Sequence, residues 1–360
     1  MVARSLALLL LAAGVASGLG QASSPGVLRF RPAPAIHVPA GFRAEIYASG
    51  LRKPTALAFG PDGLLYATQE TGEVVAVGVG SSRPRVFARR FRVPLGLAWS
   101  GRTLYVSAQG SLHRLVLEDG RAVERRTLLA RLPFKLHQQD HVVVGPEGRL
   151  YIGSGSTCNA CRERDRRSAS ILSVRPDGTG LRVVARGLRN PFGLAIQPKT
   201  GRLYASVNGR DDIGSKRHPE PAEMIVHVRQ GRRFGWPNCW PSYRLMRMVG
   251  YCRGVTAPIA YLEPHSSANG LAFYTGSTFP AAYRGNLLVA EWGTYYGRRF
   301  GRRVVRLRLR RDGTASPRRG STFATGFDHP LALAVARDGS LLVADHGRGV
   351  IYRIQARGSS

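Results

Sequence analysis

Lysine is nearly missing from this 360-residue chain: only Lys53, Lys135, Lys199 and Lys216 stand among 53 basic residues, against 22 acidic ones. The net charge of +31 is therefore an arginine charge, and it is spread along the chain. A nucleic-acid binder gathers its charge on one face or tail, so that function is disfavoured. Attraction to an anionic cell-envelope surface stays open beside a plain solvated surface. After the first residues there is no apolar run long enough to cross a bilayer, which argues against a membrane protein. Cysteine is also scarce. Cys158-x-x-Cys161 has no second such pair and no His-x3-His to complete a zinc site. With Cys239 and Cys252 it makes an even set, which reads as two local loop disulfides, Cys158 to Cys161 and Cys239 to Cys252.

What the chain does have begins with MVARSLALLLLAAGVASGLGQASS. Arg4, an apolar run from Leu6 to about Val15 and small residues through Ala22 have the grammar of a cleaved secretory signal. The expected organisation is a signal peptide over 1–22, an N-terminal extension over 23–40 and one domain over 41–360. The mature protein is expected to be secreted or periplasmic.

A single pattern recurs through that domain. LAFGPDGLLYAT from Leu57, LAWSGRTLYVS from Leu97, VVVGPEGRLYIG from Val142, LAIQPKTGRLYAS from Leu194, LAFYTGSTFPAAYRGNLLVAE from Leu271 and LAVARDGSLLVAD from Leu333 are each an apolar strand, a Gly-containing turn and a second strand. A third amphipathic strand follows most of them, as in EVVAVGV from Glu73 and RVVRLRL from Arg303, and often a fourth, as in LRVVARG from Leu181. Repeated four-stranded units that bury their faces only by stacking radially make a six-bladed, all-β propeller. GFRAEIYAS from Gly41 is expected to complete the last blade and close the ring. The interval between Thr200 and Leu271 reads as a long loop insertion.

The loops that enter the six hairpins lead to the innermost strands and should crowd one mouth of the central channel, the default site for a ligand. Five residues before each hairpin stand Arg52, Arg92, His137, Arg189, Ser266 and Asp328, with Lys53, Gln138, Asn190 and His329 one step on. Such a ring suits an anionic or polyhydroxylated ligand. His137 is the sharpest candidate, since an imidazole titrates near neutrality and can take a proton from an alcohol. Arg92 and Arg189 could hold negative charge that develops beside it. His141 is the competing base. A zinc site from His137 and His141 is disfavoured, because i, i+4 histidines share a face only on a helix.

LHQQDHVVVGPEGRLYIGSGSTCNAC, GLRNPFGLAIQPKTGRLYASVNGRDD and RFGWPNC after Glu223 together resemble the glucose/sorbosone dehydrogenase family, the soluble pyrroloquinoline quinone (PQQ) sugar dehydrogenases on six-bladed propellers. The resemblance implies that His137 is the base taking a hydroxyl proton from a sugar as hydride goes to the quinone. It implies that Arg189 and Asn190 contact the cofactor and that His329 stands at a contact position, while Gln138 and Arg92 of the ring are further candidates for cofactor contacts. The backbone carbonyls of Gly209 and Arg210 would help hold a calcium ion. The chain departs from the family's better-studied members at three places: Pro94 stands where a glutamine faces the cofactor, His329 and Leu331 where an Arg-x-Arg clamps the quinone carboxylates, and EWGTYYGRR from Glu291 where a lysine follows the fifth hairpin. A tricarboxylate needs several positive partners, although sorbosone-type relatives vary at the same positions. The expected function is an exported PQQ- and calcium-dependent dehydrogenase of a sugar or related polyol or aldehyde, passing electrons to an external acceptor. The alternative is a non-catalytic propeller that binds a polyanionic or carbohydrate ligand at the cell envelope. A metal hydrolase ranks last, since the ring offers it chiefly Asp328 and Asn269.

Overall fold

The computed structural model describes residues 30–215, 217–294 and 300–358; the expected signal peptide lies outside them. The chain forms six antiparallel blades set around an axis, with strands laid outward from the centre in sequence order. The first blade shows the plan: Pro54–Phe59 innermost, then Leu65–Gln69, Glu73–Val77 and Arg85–Ala88. The inner strands of the other blades are Gly96–Ser100, Gln139–Val144, Asn190–Ile196, Ala268–Phe273 and Pro330–Val335. The hairpin signals work as read. Gly63 sits at φ 81° and Gly339 at φ 78°, a left-handed turn position that a side chain would strain. The neighbouring Asp62 and Asp338 accept the N–H of Leu64 and Ser340.

Second strands such as Leu65–Gln69 and Leu341–Asp345 are buried along their whole length, which explains their unbroken Leu-Tyr-Ala or Leu-Leu-Val-Ala character. Both faces of a blade are covered by neighbours, so alternation is lost. The apolar core is accordingly divided among the blade interfaces. Leu57, Leu65 and Val75 of the first blade, for example, pack on Leu342, Ala344 and Ile351 of the last.

Ring closure follows the expectation. Phe42–Ala48 pairs with Val350–Ala356, Phe42 opposite Ala356, so the last blade takes its outer strand from the start of the domain. Arg31–Pro32 adds a fifth strand beside it, and Ala33 and Ile36 are buried with the core between the last two blades. The interval from Thr200 to Leu271 differs from the loop that was expected. It carries the strands Leu203–Asn208, Glu223–Val228 and Ala260–Leu262 of the fourth blade, and between the last two an inserted hairpin, Cys239–Ser242 with Arg247–Gly250. EMIVHV is a buried strand with no Asp-Gly turn beside it, so the repeat pattern passes over it. Both disulfides form as expected, Cys239–Cys252 stapling that hairpin and Cys158–Cys161 a loop in the third blade. Among the described residues no helix is long and apolar enough to cross a membrane.

Five of the six inner strands are irregular where they begin. The pairing register slips between Pro54 and Ala56, Gln139 and Val142, Pro191 and Leu194, Ala268 and Leu271, and Pro330 and Ala332. Such bulges re-aim side chains next to functional sites. Here all five lie at the same end of the axis.

Candidate active site

That end of the axis opens into a cavity of about 560 Å³, within the range of small-molecule sites. His137, Gln138, Arg189, Asn190 and Gly209 line it together, as do Asp140, Asp211, Glu223, Trp292 and the pair Glu70 and His346. Gly155 explains how two of these come so close: a Cβ there would collide with the Cβ of His137 and with Oδ1 of Asn190. Farther along the inner strands the channel narrows around Phe192, Leu331 and His141. His141 is turned to the fourth blade, Nδ1 lying 3.1 Å from the Leu194 carbonyl.

The tautomer of His137 can be read from its neighbours. Its Nδ1 lies 3.0 Å from Ser156 Oγ, and that hydroxyl donates its one hydrogen to the Cys158 carbonyl at 2.6 Å. At the imidazole the hydroxyl must therefore accept, so the proton sits on Nδ1 and the lone pair on Nε2. Among the described residues Nε2 has no hydrogen-bond partner. Burial and the Arg189 charge push the His137 pKa down to about 3, against the pull of a hydrogen bond with the Ser156 backbone. The ring is neutral at physiological pH, with an open basic nitrogen.

Arg189 is buried and held by three contacts. Nε donates to the Asn159 carbonyl at 3.3 Å, Nη2 to Asn159 Oδ1 at 2.8 Å, and Nη2 also pairs with Asp211. Nη1 keeps no partner among the described residues and is the donor left for a ligand. Beside it Asn190 Nδ2 donates to Asn208 Oδ1 at 2.9 Å, while Asn190 Oδ1 is buried with no partner among the described residues. Gly209 donates its N–H to Glu223 at 3.0 Å. Burial raises the Glu223 pKa to about 7, although that N–H and the Arg189 charge favour the carboxylate. Asp140, in the bulge three residues after His137, is fully buried, its Oδ2 unpartnered and its pKa pushed well up by burial.

Other members of the ring do not reach the cavity. Arg92 lies over the Phe134 ring at 5.0 Å, and Arg52 pairs with Glu73. Lys53 stands 3.6 Å from Glu70, and Asp328 bonds Arg302 at 2.7 Å. The His329 ring lies 3.9 Å from the Trp292 ring, tilted by 46°, and of the two Trp292 lines the cavity. The Arg210 guanidinium turns away to Asp212 and the Pro237 carbonyl. Pro94 accepts the Thr55 hydroxyl through its carbonyl, and its neighbours Val93 and Leu95 line the wall. Sequence reasoning missed Ser156, Asn159, Asp140 and the pair His346–Glu70, 2.7 Å apart. None stands at the counted register position. Asp140 alone carried a signal, as a carboxylate in an otherwise apolar strand entry.

The sequence profile of the glucose / sorbosone dehydrogenase family matches residues 97–315, more than half of the chain. The chain belongs to the glucose/sorbosone dehydrogenase family. It is 22% identical over 291 residues to the aldose sugar dehydrogenase YliI of Escherichia coli K12, covering 67% of this chain and 76% of that protein. A protein of Borreliella burgdorferi is 24% identical over 348 residues, 89% of this chain and 90% of its own. Among solved structures, the holo form of the pyranose dehydrogenase PQQ domain from Coprinopsis cinerea superposes with a TM-score of 0.76 at 19% identity, over 92% of this chain and 99% of that one. The PQQ-bound aldose sugar dehydrogenase of Streptomyces coelicolor gives 0.66 at 20% identity, over 89% and 99%. In this glucose/sorbosone dehydrogenase family member, His137, Arg189 and Asn190 lie on one cavity. At the last blade, where the resemblance implies an Arg-x-Arg, Leu331 lines the wall and His329 stands beside Trp292.

Proposed function

We propose that this protein is an exported quinoprotein dehydrogenase that oxidises a sugar or a related polyol or aldehyde with PQQ and calcium, passing the electrons to an external acceptor. The observation that carries the reading is the lone pair of His137 Nε2, which has no partner among the described residues and belongs to a side chain lining the cavity with Arg189 and Asn190.

The donor set suits the reactive end of a quinone. Arg189 Nη1 offers a hydrogen bond and a charge, and the buried, unpartnered Oδ1 of Asn190 calls for a ligand donor or cation. The family resemblance assigns the backbone carbonyls of Gly209 and Arg210 to calcium, an oxygen-seeking cation, and Gly209 lines the cavity with its N–H bonded to Glu223. When bound, PQQ supplies the carbonyl carbon that accepts a hydride equivalent. His137 takes the hydroxyl proton of the substrate at Nε2, becoming an imidazolium whose Nδ1–H remains bonded to Ser156. Arg189 stabilises negative charge that develops within reach of Nη1. Blade walls and the plug of Phe192 and Leu331 limit water to the open mouth.

Titration of the purified protein with PQQ and calcium tests this directly. The expected result is a saturable change in quinone absorbance and dye reduction with at least one aldose of a panel. No binding and no reduction would sink the proposal.

A further inference from the structure

The disulfide Cys158–Cys161 closes a four-residue ring that lines no part of the cavity, yet it bonds Arg189 directly and reaches His137 through Ser156. Asn159, inside the ring, offers two oxygens spaced as a fork. Its carbonyl accepts Arg189 Nε, and its Oδ1 accepts Arg189 Nη2 and the N–H of Asp211, the last at 3.0 Å. The same carbonyl accepts Trp236 Nε1 at 2.9 Å. An arginine side chain has several rotatable bonds, and a bidentate fork removes most of that freedom. One residue earlier, the Cys158 carbonyl holds the Ser156 hydroxyl hydrogen and thereby makes that hydroxyl an acceptor for His137 Nδ1–H. Glu163 steadies the entry to the ring by accepting the N–H and hydroxyl of Thr157 at 2.6 and 2.7 Å.

We infer that Asn159 is a positioning residue for Arg189, and that the disulfide ring holding it also sets the tautomer of His137 through the Cys158 carbonyl and Ser156. A single covalent ring thus aims the cation and orients the base. The kinetic consequence rests on the proposed dehydrogenase activity; the orientation itself does not.

The test uses the full chain. It carries four tryptophans, Trp99, Trp236, Trp240 and Trp292, so its indole N–H resonances can be assigned by substitution. Long-range ¹⁵N spectra of the imidazoles, with His137→Gln for assignment, report the tautomer. In the wild type His137 should show a protonated Nδ1 and a bare Nε2. The double variant Cys158→Ser/Cys161→Ser should move the Trp236 indole resonance and turn His137 into a tautomer mixture, while Trp99, half-buried between the first two blades, stays in place as the control for folding. A Cys239→Ser/Cys252→Ser variant should leave the His137 nitrogens unmoved. Asn159→Ala should keep the His137 tautomer, since the Cys158 carbonyl remains. It should expose Arg189 to faster modification by phenylglyoxal, read by peptide mass spectrometry, and lower kcat about 10- to 100-fold with KM nearly unchanged. Asn159→Asp, which keeps the oxygen, should restore most of both.

An open-ring variant with Trp99 unshifted and His137 still in the wild-type tautomer overturns the inference about the ring. Equal Arg189 reactivity in wild type, Asn159→Ala and Asn159→Asp overturns the role of Asn159. If the open-ring protein does not fold, the Asn159 pair decides the role of Asn159, and Ser156→Ala decides the relay: His137 still in the wild-type tautomer there overturns it. A wild type that binds no quinone and oxidises no sugar refutes the proposed function while leaving the spectroscopic and modification results to judge the positioning.

Discussion

His137 is a base whose direction is set by a hydroxyl that has only one hydrogen to give, and whose charge is suppressed by its surroundings. Replacing it with Gln keeps a polar side chain but removes the proton acceptor, so sugar oxidation should fall by about 10²- to 10⁴-fold with the fold unchanged; steady-state kinetics and a circular dichroism spectrum check this together. In the purified protein the His137 ring should not titrate between pH 5 and 8, since burial and Arg189 hold its pKa at about 3. An imidazole resonance of His137 moving with a midpoint near 6.5 would show that water reaches the ring freely. Arg189→Lys should fail in a different way. An ammonium is one compact charge and cannot bond the Asn159 carbonyl, Asn159 Oδ1 and Asp211 together. Its kcat should fall toward that of Asn159→Ala even though the charge is kept.

At the scale of strands and loops, the repeat is also the ruler of the site. Counting back from Val142 and Leu194 reaches His137 and Arg189, and the structure brings both to one cavity. The same count reaches Arg92 and Asp328, which find other partners, Phe134 and Arg302. Register fixes the backbone position of each loop residue, whereas the bulges and the neighbouring side chains decide where it points. Ser156 and Asn159 escaped the reading for the same reason: their roles depend on hydrogen bonds between loops of different blades, and no spacing encodes these. Strand Glu223–Val228 and the inserted hairpin were hidden because the turn signal that marks the other blades is absent. Closure was legible, since GFRAEIYAS precedes the first hairpin with no partner of its own. A chain shortened to begin after Ala48 would leave Val350–Ala356 as a bare edge and uncover Leu342, Ala344 and Ile351 beside the first blade. Open edges recruit other chains, so the truncated protein should aggregate or elute as large oligomers on size exclusion, where the full domain should not.

For the whole molecule, buried acids and bases of opposite tendency offset one another. Burial first, then neighbouring charge where present, holds His113, His137 and His141 down at about 4, 3 and 4. Burial holds Glu223 and Glu291 up at about 7 and lifts Asp140 well above the usual carboxyl range. Between the ordinary values of 4.5 and 6.5, the unfolded chain protonates these three imidazoles and also His227 and His329, which burial lowers as well, while the folded chain retains the protons of Glu223 and Glu291, with Asp140 on the same side. The unfolded chain holds more protons on balance, so stability should rise gently with pH there. Below about 4.5 the unfolded carboxyls are protonated as well. The imidazole difference then stands alone, joined by Asp165 and Asp212, which hydrogen bonds from Arg167 and Arg210 hold below their ordinary values, and stability falls with pH. Above about 6.5 the imidazoles are neutral in both states and only the carboxyl difference remains. Stability should then decline as pH rises through 7, where Glu223 and Glu291 must ionise in place. Urea midpoints at pH 3.5, 5, 6 and 8 should therefore climb from the first to the third and drop at the last. Glu223→Gln should shrink the alkaline drop and leave the acid one intact. A midpoint that climbs steadily to pH 8 would mean that these carboxyls are ionised and solvated, and that the floor of the cavity is wet.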